Sequence, residues 1–186
     1  MKILSLFLAT LLFMTGAANA AEPITKEEVL KAQDEWAAGI VEISRVYMND
    51  GDYKAAARKH IEDLYAYGMT DVLFKPTLAS DDQFRETFDE ALSYFVGGIV
   101  KEDTGFAIKP WKNARFDGDQ HIAIKDDYAV SMGNYYFTPA KGGAEQKVEF
   151  TFGYLKDDNG NLKINVHHSS LPYSPDETNA DTEEND

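Results

Sequence analysis

Residues 162–173 read Leu162-Lys163-Ile164-Asn165-Val166-His167-His168-Ser169-Ser170-Leu171-Pro172-Tyr173. The first nine fit a β-strand, in which successive side chains point to opposite faces. Leu162, Ile164, Val166, His168 and Ser170 then share one face, and Lys163, Asn165, His167 and Ser169 the other. The first set is apolar until its last two members. It is therefore expected to face inward and to end in a polar pair, His168 and Ser170, at a pocket. One residue of slip would exchange the faces and deliver His167 and Ser169 instead. A buried imidazole and hydroxyl need partners, because an unsatisfied buried polar group costs about 1–3 kcal/mol. Taken alone, such a pair more often hydrogen-bonds a neighbouring loop than does chemistry, since both groups donate and accept.

Upstream of this strand the same alternation recurs. Candidate strands are Phe106 to Trp111, Asn113 to Phe116, His121 to Ile124, Tyr128 to Phe137 and Val148 to Lys156. The joints between them are turn chemistry: Asp117-Gly118-Asp119, Lys125-Asp126-Asp127, Lys141-Gly142-Gly143 and Asp157-Asp158-Asn159-Gly160. Before Phe106 the apolar period is helical. Thr25 and Glu28 form a capping-box pattern, followed by Val29, Trp36, Ile40, Ile43 and Tyr47 up to a stop at Asn49-Asp50-Gly51. Asp52 can cap a second helix to about Tyr65. Val72-Leu73-Phe74 is a short β-like run closed by Pro76, and Ser80 is expected to cap a third helix bearing Phe84, Phe88, Leu92 and Phe95. Helices followed by a meander of strands is an α+β pattern. Its compact solution is a strongly curved antiparallel sheet wrapped on the long helix with a pocket between them, which is similar to the cone of the NTF2-like, or SnoaL-like, superfamily.

The ends read differently. Met1-Lys2, an apolar run from Ile3 to Met14 and Ala18-Asn19-Ala20 form a secretory signal over residues 1–20, with cleavage expected after Ala20. The run is shorter than the roughly 20 residues that cross a bilayer, so no membrane association is expected after cleavage. The expected destination is the bacterial periplasm. Residues 21–174 are read as one domain, and 175–186 as an acidic tail that cannot repay its ordering entropy. The 186 residues carry 18 Lys and Arg against 32 Asp and Glu, a formal charge of −14 that argues against a nucleic-acid partner. The absence of Cys excludes disulfides, thiolate metal sites and a Cys nucleophile.

His167-His168-Ser169-Ser170-Leu171-Pro172-Tyr173, together with Leu73-Phe74-Lys75-Pro76-Thr77, Ala91 to Gly98 and Gly133-Asn134-Tyr135-Tyr136-Phe137, resembles the iota class of carbonic anhydrases. The resemblance runs from about Ile24 to Pro175. It implies reversible hydration of CO2 to bicarbonate within the cone. It also implies that Thr77, Tyr94 and Ser170 with His168 surround the bound anion, Ser169 with His167 being the alternative in the opposite register. Thr77, Tyr94, His168 and Ser170 are thus the expected catalytic residues, and His167 and Ser169 join Thr77, Tyr94 and Ser170 as expected substrate contacts. Part of the class works without metal, part is described as Mn2+- or Zn2+-dependent, and a homodimer through the sheet's outer face is expected by analogy.

The residues themselves favour the metal-free variant. The histidines are His60, His121, His167 and His168. Adjacent His167 and His168 face opposite ways on a strand, so three converging imidazoles would need both others to come from distant elements. Trp36 and Trp111 read as core, and Tyr135, Tyr136, Phe137, Phe150, Phe152 and Tyr154 as sheet core or subunit interface more than as the wall of a ligand cavity. Lys75, Arg85 and Arg115 are expected at the surface. A non-catalytic periplasmic binding or oligomerisation module is the competing reading, since fold does not fix function. A SnoaL-like isomerase would want an Asp–His pair, and no Asp falls on an inward strand face.

Overall fold

The structure is a computed structural model that describes residues 22–118 and 120–175; the expected signal peptide and the tail beyond Pro175 lie outside the described residues. α1 spans Lys26–Met48. Its start is fixed by reciprocal bonds: Thr25 Oγ1 accepts from Glu28 N at 3.2 Å, and Thr25 N donates to Glu28 Oε2 at 2.8 Å. These bonds satisfy two of the amides that a helix start would otherwise orphan. Asp52 caps α2, Tyr53–Leu64, through Ala55 N at 2.9 Å. The strand β1, Leu73–Lys75, follows, and then α3, Phe88–Val96, which ends at Gly97 with φ 76. Among the described residues no helix is long and apolar enough to cross a membrane.

The third helix begins later than expected, with Thr87 and not Ser80 as its cap. Charged side chains claim the preceding backbone. Glu102 accepts from the amides of Ser80, Asp81 and Asp82 and from Ser80 Oγ. Arg85 donates to the carbonyls of Asp82 and Phe84 and is wholly buried against Asp103, which corrects its expected place at the surface. A helix needs those carbonyls for its own ladder.

Residues 106–108 also depart from expectation. They form a single 3-10 turn, Phe106–Ile108, entered through Gly105 in the left-handed region at φ 81. Ser44 of α1 holds the turn, donating to Ala107 O at 2.7 Å and accepting from Trp111 N at 3.1 Å. The sheet then runs as β2 Trp111–Phe116, β3 His121–Lys125, β4 Tyr128–Pro139, β5 Gln146–Lys156 and β6 Leu162–Ser170.

The strand order is β1-β6-β5-β4-β2, with β3 also paired to β4. All pairs are antiparallel except β1 with β6, so the sheet is mixed and not wholly antiparallel. α1 lies on its inner face. The Trp36 ring meets Phe116, Tyr135, Phe137, Phe152 and His167 at centroid distances of 5.5–6.2 Å, touching β2, β4, β5 and β6 at once. One indole that reaches four strands requires the sheet to bend around the helix.

The register between β5 and β6 shifts by one residue. Tyr154 pairs with Ile164 while Gly153 pairs with Val166, so Asn165 is extra and forms a bulge. Gly153 permits it, because a Cβ there would lie 2.9 Å from Val166 Cβ and press on the Tyr128 hydroxyl. Gly153→Ala is therefore expected to cost about 1–3 kcal/mol through overpacking. Urea denaturation should show a lower midpoint with an unchanged slope, and an unchanged midpoint would mean that the bulge has room to spare.

Candidate active site

The bulge decides what β6 presents inward. Ile164 faces the core, the extra residue reverses the parity, and His167 and Ser169 are buried while His168 is exposed. The expected inward placement of His168 and Ser170 is thus corrected. Ser170 Oγ donates instead to Glu149 Oε2 at 2.9 Å, and both residues border a hollow on the outer face beside His121 and Met132. The opposite register, held open as the alternative, is the one the strand adopts.

The inward pair lines a cavity of about 180 Å3. That is room for a molecule of three or four heavy atoms with some water, a water's share of the liquid being about 30 Å3. Trp36, Phe95, Phe106, Trp111, Phe137 and Val148 supply apolar walls. Thr77 and Leu78 reach it from the segment after β1, Tyr94 from α3 and Tyr135 from β4, while Lys109, Gln146 and Leu171 complete the lining. Thr77 and Tyr94, both expected at the site, therefore share one cavity with His167 and Ser169.

His167 is fixed on every side. Its ring stacks on Phe74 at 4.5 Å and meets the edge of Phe152 at 4.2 Å. Trp36 Nε1 donates to Tyr65 Oη at 2.9 Å, and that oxygen lies 2.8 Å from His167 Nδ1. An indole N–H can only donate, so the phenol oxygen accepts that bond, and its own proton, which meets no other acceptor among the described residues, is satisfied only by going to Nδ1. Nδ1 is then unprotonated, and the neutral imidazole carries its proton on Nε2. Donor counting assigns this tautomer. His167 Nε2 is buried without a protein partner among the described residues, which leaves it as the polar atom this ring can offer to an occupant of the cavity.

Burial sets the protonation states. It pushes His167 well below the ordinary histidine pKa, with His168 and His60 nearby adding to the effect. It raises Tyr94, as does Asp103, against the opposing pull of the Leu78 and Thr77 amides and of Arg85. Tyr135 is raised by burial and partly relieved by the Ser169 hydroxyl. At neutral pH the cavity holds uncharged donors, and Lys109, exposed on the lining, is its one formal charge among the described residues.

This arrangement can be set against known proteins. A family-wide profile described as metal-independent carbonic anhydrase matches residues 27–171. A protein of Nostoc sp. (strain PCC 7120) named metal-independent carbonic anhydrase is 44% identical over 170 residues, covering 89% of this chain and 81% of that one. The chain belongs to the metal-independent carbonic anhydrase family. A crystal structure of the iota-carbonic anhydrase from a cyanobacterium, complexed with bicarbonate, superposes with a TM-score of 0.77 at 43% identity, over 82% of this chain and 94% of that one. An NTF2-like protein from Pseudomonas putida KT2440 matches at TM-score 0.52 and 13% identity over 82% of this chain and 89% of that one, a likeness of fold alone. The family description also favours the metal-free expectation over the Mn2+ or Zn2+ alternative. Of the histidines, His167 lines the cavity, His121 and His168 border the outer hollow, and His60 packs beside Gly39 of α1.

Sequence reasoning missed Tyr65, Lys109 and Gln146 at this site, and it missed the bulge. The available signal was Gly153, since a glycine inside a strand pattern marks a bulge or a close approach. His60 is also held neutral, lowered to about 4 mainly by burial, with Asp63 opposing. A free histidine titrates near 6.5, so the stability drawn from neutral His60 and His167 is complete above about pH 6.5 and drains as pH falls, for His60 through about pH 4. Thermal midpoints should decline across that window, and less steeply in His60→Leu. Nitrogen-15 NMR at pH 7 should show His167 as the Nε2–H tautomer; an Nδ1–H signal would refute the assignment.

Proposed function

We propose that this chain catalyses the reversible hydration of CO2 to bicarbonate in the cavity bounded by Thr77, Tyr94, His167 and Ser169. The observation that carries the reading is the inward imidazole and hydroxyl of β6, set in aromatic walls, in a member of this family. The bicarbonate seen in the cyanobacterial relative supports the substrate class.

CO2 is neutral and apolar, so it enters an aromatic cavity with no charge to desolvate. Charge appears as water attacks carbon, and it collects on the two CO2 oxygens. Tyr94 O–H and His167 Nε2–H are the donors placed to receive it. Donors that are already oriented need no reorganisation at that moment, which is how fixed dipoles lower a barrier. Thr77 and Ser169 orient the attacking water, and holding the reactants together supplies the remainder of the rate. The water oxygen bonds to carbon and sheds a proton to Ser169 Oγ. That hydroxyl passes its own proton to water at the mouth, which carries it into bulk solvent as H3O+ and leaves bicarbonate as the product anion in the cavity. His168, expected as the proton acceptor, lies outside the cavity, and His167 acts here as a donor and not as a base.

Export to the periplasm through loss of residues 1–20 fits this reading and rests on the signal pattern at the start of the chain. A homodimer through the outer sheet face is likewise part of the proposal, supported by the exposed Met132 and the hollow beside it.

Stopped-flow CO2 hydration by EDTA-treated protein, with and without added Mn2+ or Zn2+, is the test. Activity should survive chelation and gain nothing from either ion; no activity under any condition would favour the non-catalytic binding reading. Ser169→Ala and Tyr94→Phe should each lower kcat by about 100-fold, in the range seen when one oriented donor is removed. Ser170→Ala should leave kcat within about twofold, because its hydroxyl faces Glu149 across the outer surface.

Lys109 supplies a second expectation. In a chain of formal charge −14 it offers the anion a local attraction that neutral CO2 does not feel. Lys109→Gln should weaken bicarbonate inhibition of CO2 hydration about three- to fivefold at low ionic strength. The difference should vanish in 1 M salt, where the screening length falls to about 3 Å.

A further inference from the structure

Arg85 is wholly buried, and so is the Asp103 side chain it faces. Its guanidinium meets both Asp103 oxygens, at 2.6 and 3.3 Å, and donates to the carbonyls of Asp82 at 2.6 Å and Phe84 at 3.0 Å. The Arg85 amide donates to Phe74 O at 2.9 Å, and Tyr67 Oη donates to Arg85 O at 2.7 Å. The guanidinium carbon lies 5.9 Å from the centre of the Tyr94 ring. Beside this pair, Glu102 gathers three amides of residues 80–82, which hold its carboxyl down to about 2.

Two segments are joined by these contacts. One, running on from β1 to the cap of α3, carries Thr77 and Leu78; the other follows α3, which carries Tyr94. Folding stability does not require charges for that purpose, because a buried ion pair replaced by apolar residues of similar volume is often neutral or even stabilising. What an ion pair with bidentate geometry adds is direction: the planar fork fixes the angle as well as the distance between the parts it joins.

We propose that Arg85, acting through Asp103, is a positioning residue that holds the Thr77–Leu78 segment and the Tyr94 phenol in the mutual orientation the reaction needs. The inference rests on the reading of the cavity as a CO2 hydration site. Arg85 touches neither substrate nor reacting atoms. It clamps the wall on which two of the reacting hydroxyls stand.

The informative variant is the double replacement Arg85→Met with Asp103→Leu, which removes both charges together. Its melting temperature should stay close to that of the wild type, while kcat falls at least tenfold and KM for CO2 changes by less than about twofold; misplacement by about 1 Å can cost 100-fold. Amide exchange at Thr77 and Leu78 should quicken by a similar factor. Arg85→Lys keeps the charge without the fork and should fall between the two. Ser131→Ala is the stability control, since Ser131 is buried against Gln33 away from the cavity lining.

Wild-type kcat in the double variant, or a Ser131→Ala loss of kcat equal to it, overturns the proposal. If the double variant does not fold, Arg85→Lys and Asp103→Glu compared with the Ser131→Ala control decide by the same kcat criterion. Unchanged exchange at Thr77 and Leu78 refutes the clamp even in an active enzyme. Faster exchange in a protein that never hydrates CO2 refutes the catalytic reading while leaving the clamp in place.

Discussion

A polar end to a cavity inside an aromatic core persists when its buried polar atoms find partners, and Trp36 Nε1, Tyr65 Oη and His167 Nδ1 find theirs in series, which leaves His167 Nε2 for an occupant of the cavity. The indole donates to the phenol, the phenol to the imidazole, and the imidazole is left with one proton directed away from both. Each link fixes the next. Trp36 is fixed by packing across four strands, so the tautomer of His167 depends on the same contacts that bend the sheet around α1. Removing any member would strand a buried group at a cost of about 1–3 kcal/mol.

That chain also determines the kind of chemistry the cavity suits. Burial keeps His167, Tyr94 and Tyr135 uncharged, and the nearest buried cation, Arg85, is neutralised by Asp103 behind the wall. Neutral donors admit a neutral reactant freely and respond only when it acquires charge. A cavity of this type distinguishes the transition state from CO2 more than it distinguishes CO2 from water, which is the differential binding that accelerates a reaction. The same donor set is ill suited to a divalent cation: it contains one imidazole and several hydroxyls, and no carboxylate is among the lining residues.

Much of the architecture was legible in the sequence. Thr25 and Asp52 start their helices where the pattern placed them, and β6 begins and ends at Leu162 and Ser170. Local signals sufficed there because the partners are three residues away or the period is regular. Equally local grounds make Ser80 a cap, yet Thr87 caps the helix, because Glu102, twenty-two residues on, captures Ser80. Residues 106–108 alternate like a strand, yet Ser44 of α1 takes the Ala107 carbonyl and the chain turns. Long-range competition of this kind leaves no trace in a local window. At the site, Thr77 and Tyr94 are named by resemblance to a family and line the cavity, whereas alternation alone points His168 and Ser170 to the wrong face.

The adjacent histidines show why the error took that form. On a regular strand His167 and His168 are related by half a period, so one must face the core and the other solvent, and the hydrophobic pattern from Leu162 to Val166 is the only local guide. Ile164 obeys that guide and is buried. Val166 would obey it too, but Asn165 is inserted between them, and from there every side chain is displaced by one step. The insertion is tolerated because Gly153 leaves room opposite, and Tyr65 favours it, since it brings His167 Nδ1 within 2.8 Å of the phenol that Trp36 holds. The apolar half of β6 is thus placed by water exclusion and its polar half by hydrogen bonding. The bulge is where the two requirements, which differ by one residue in register, are reconciled.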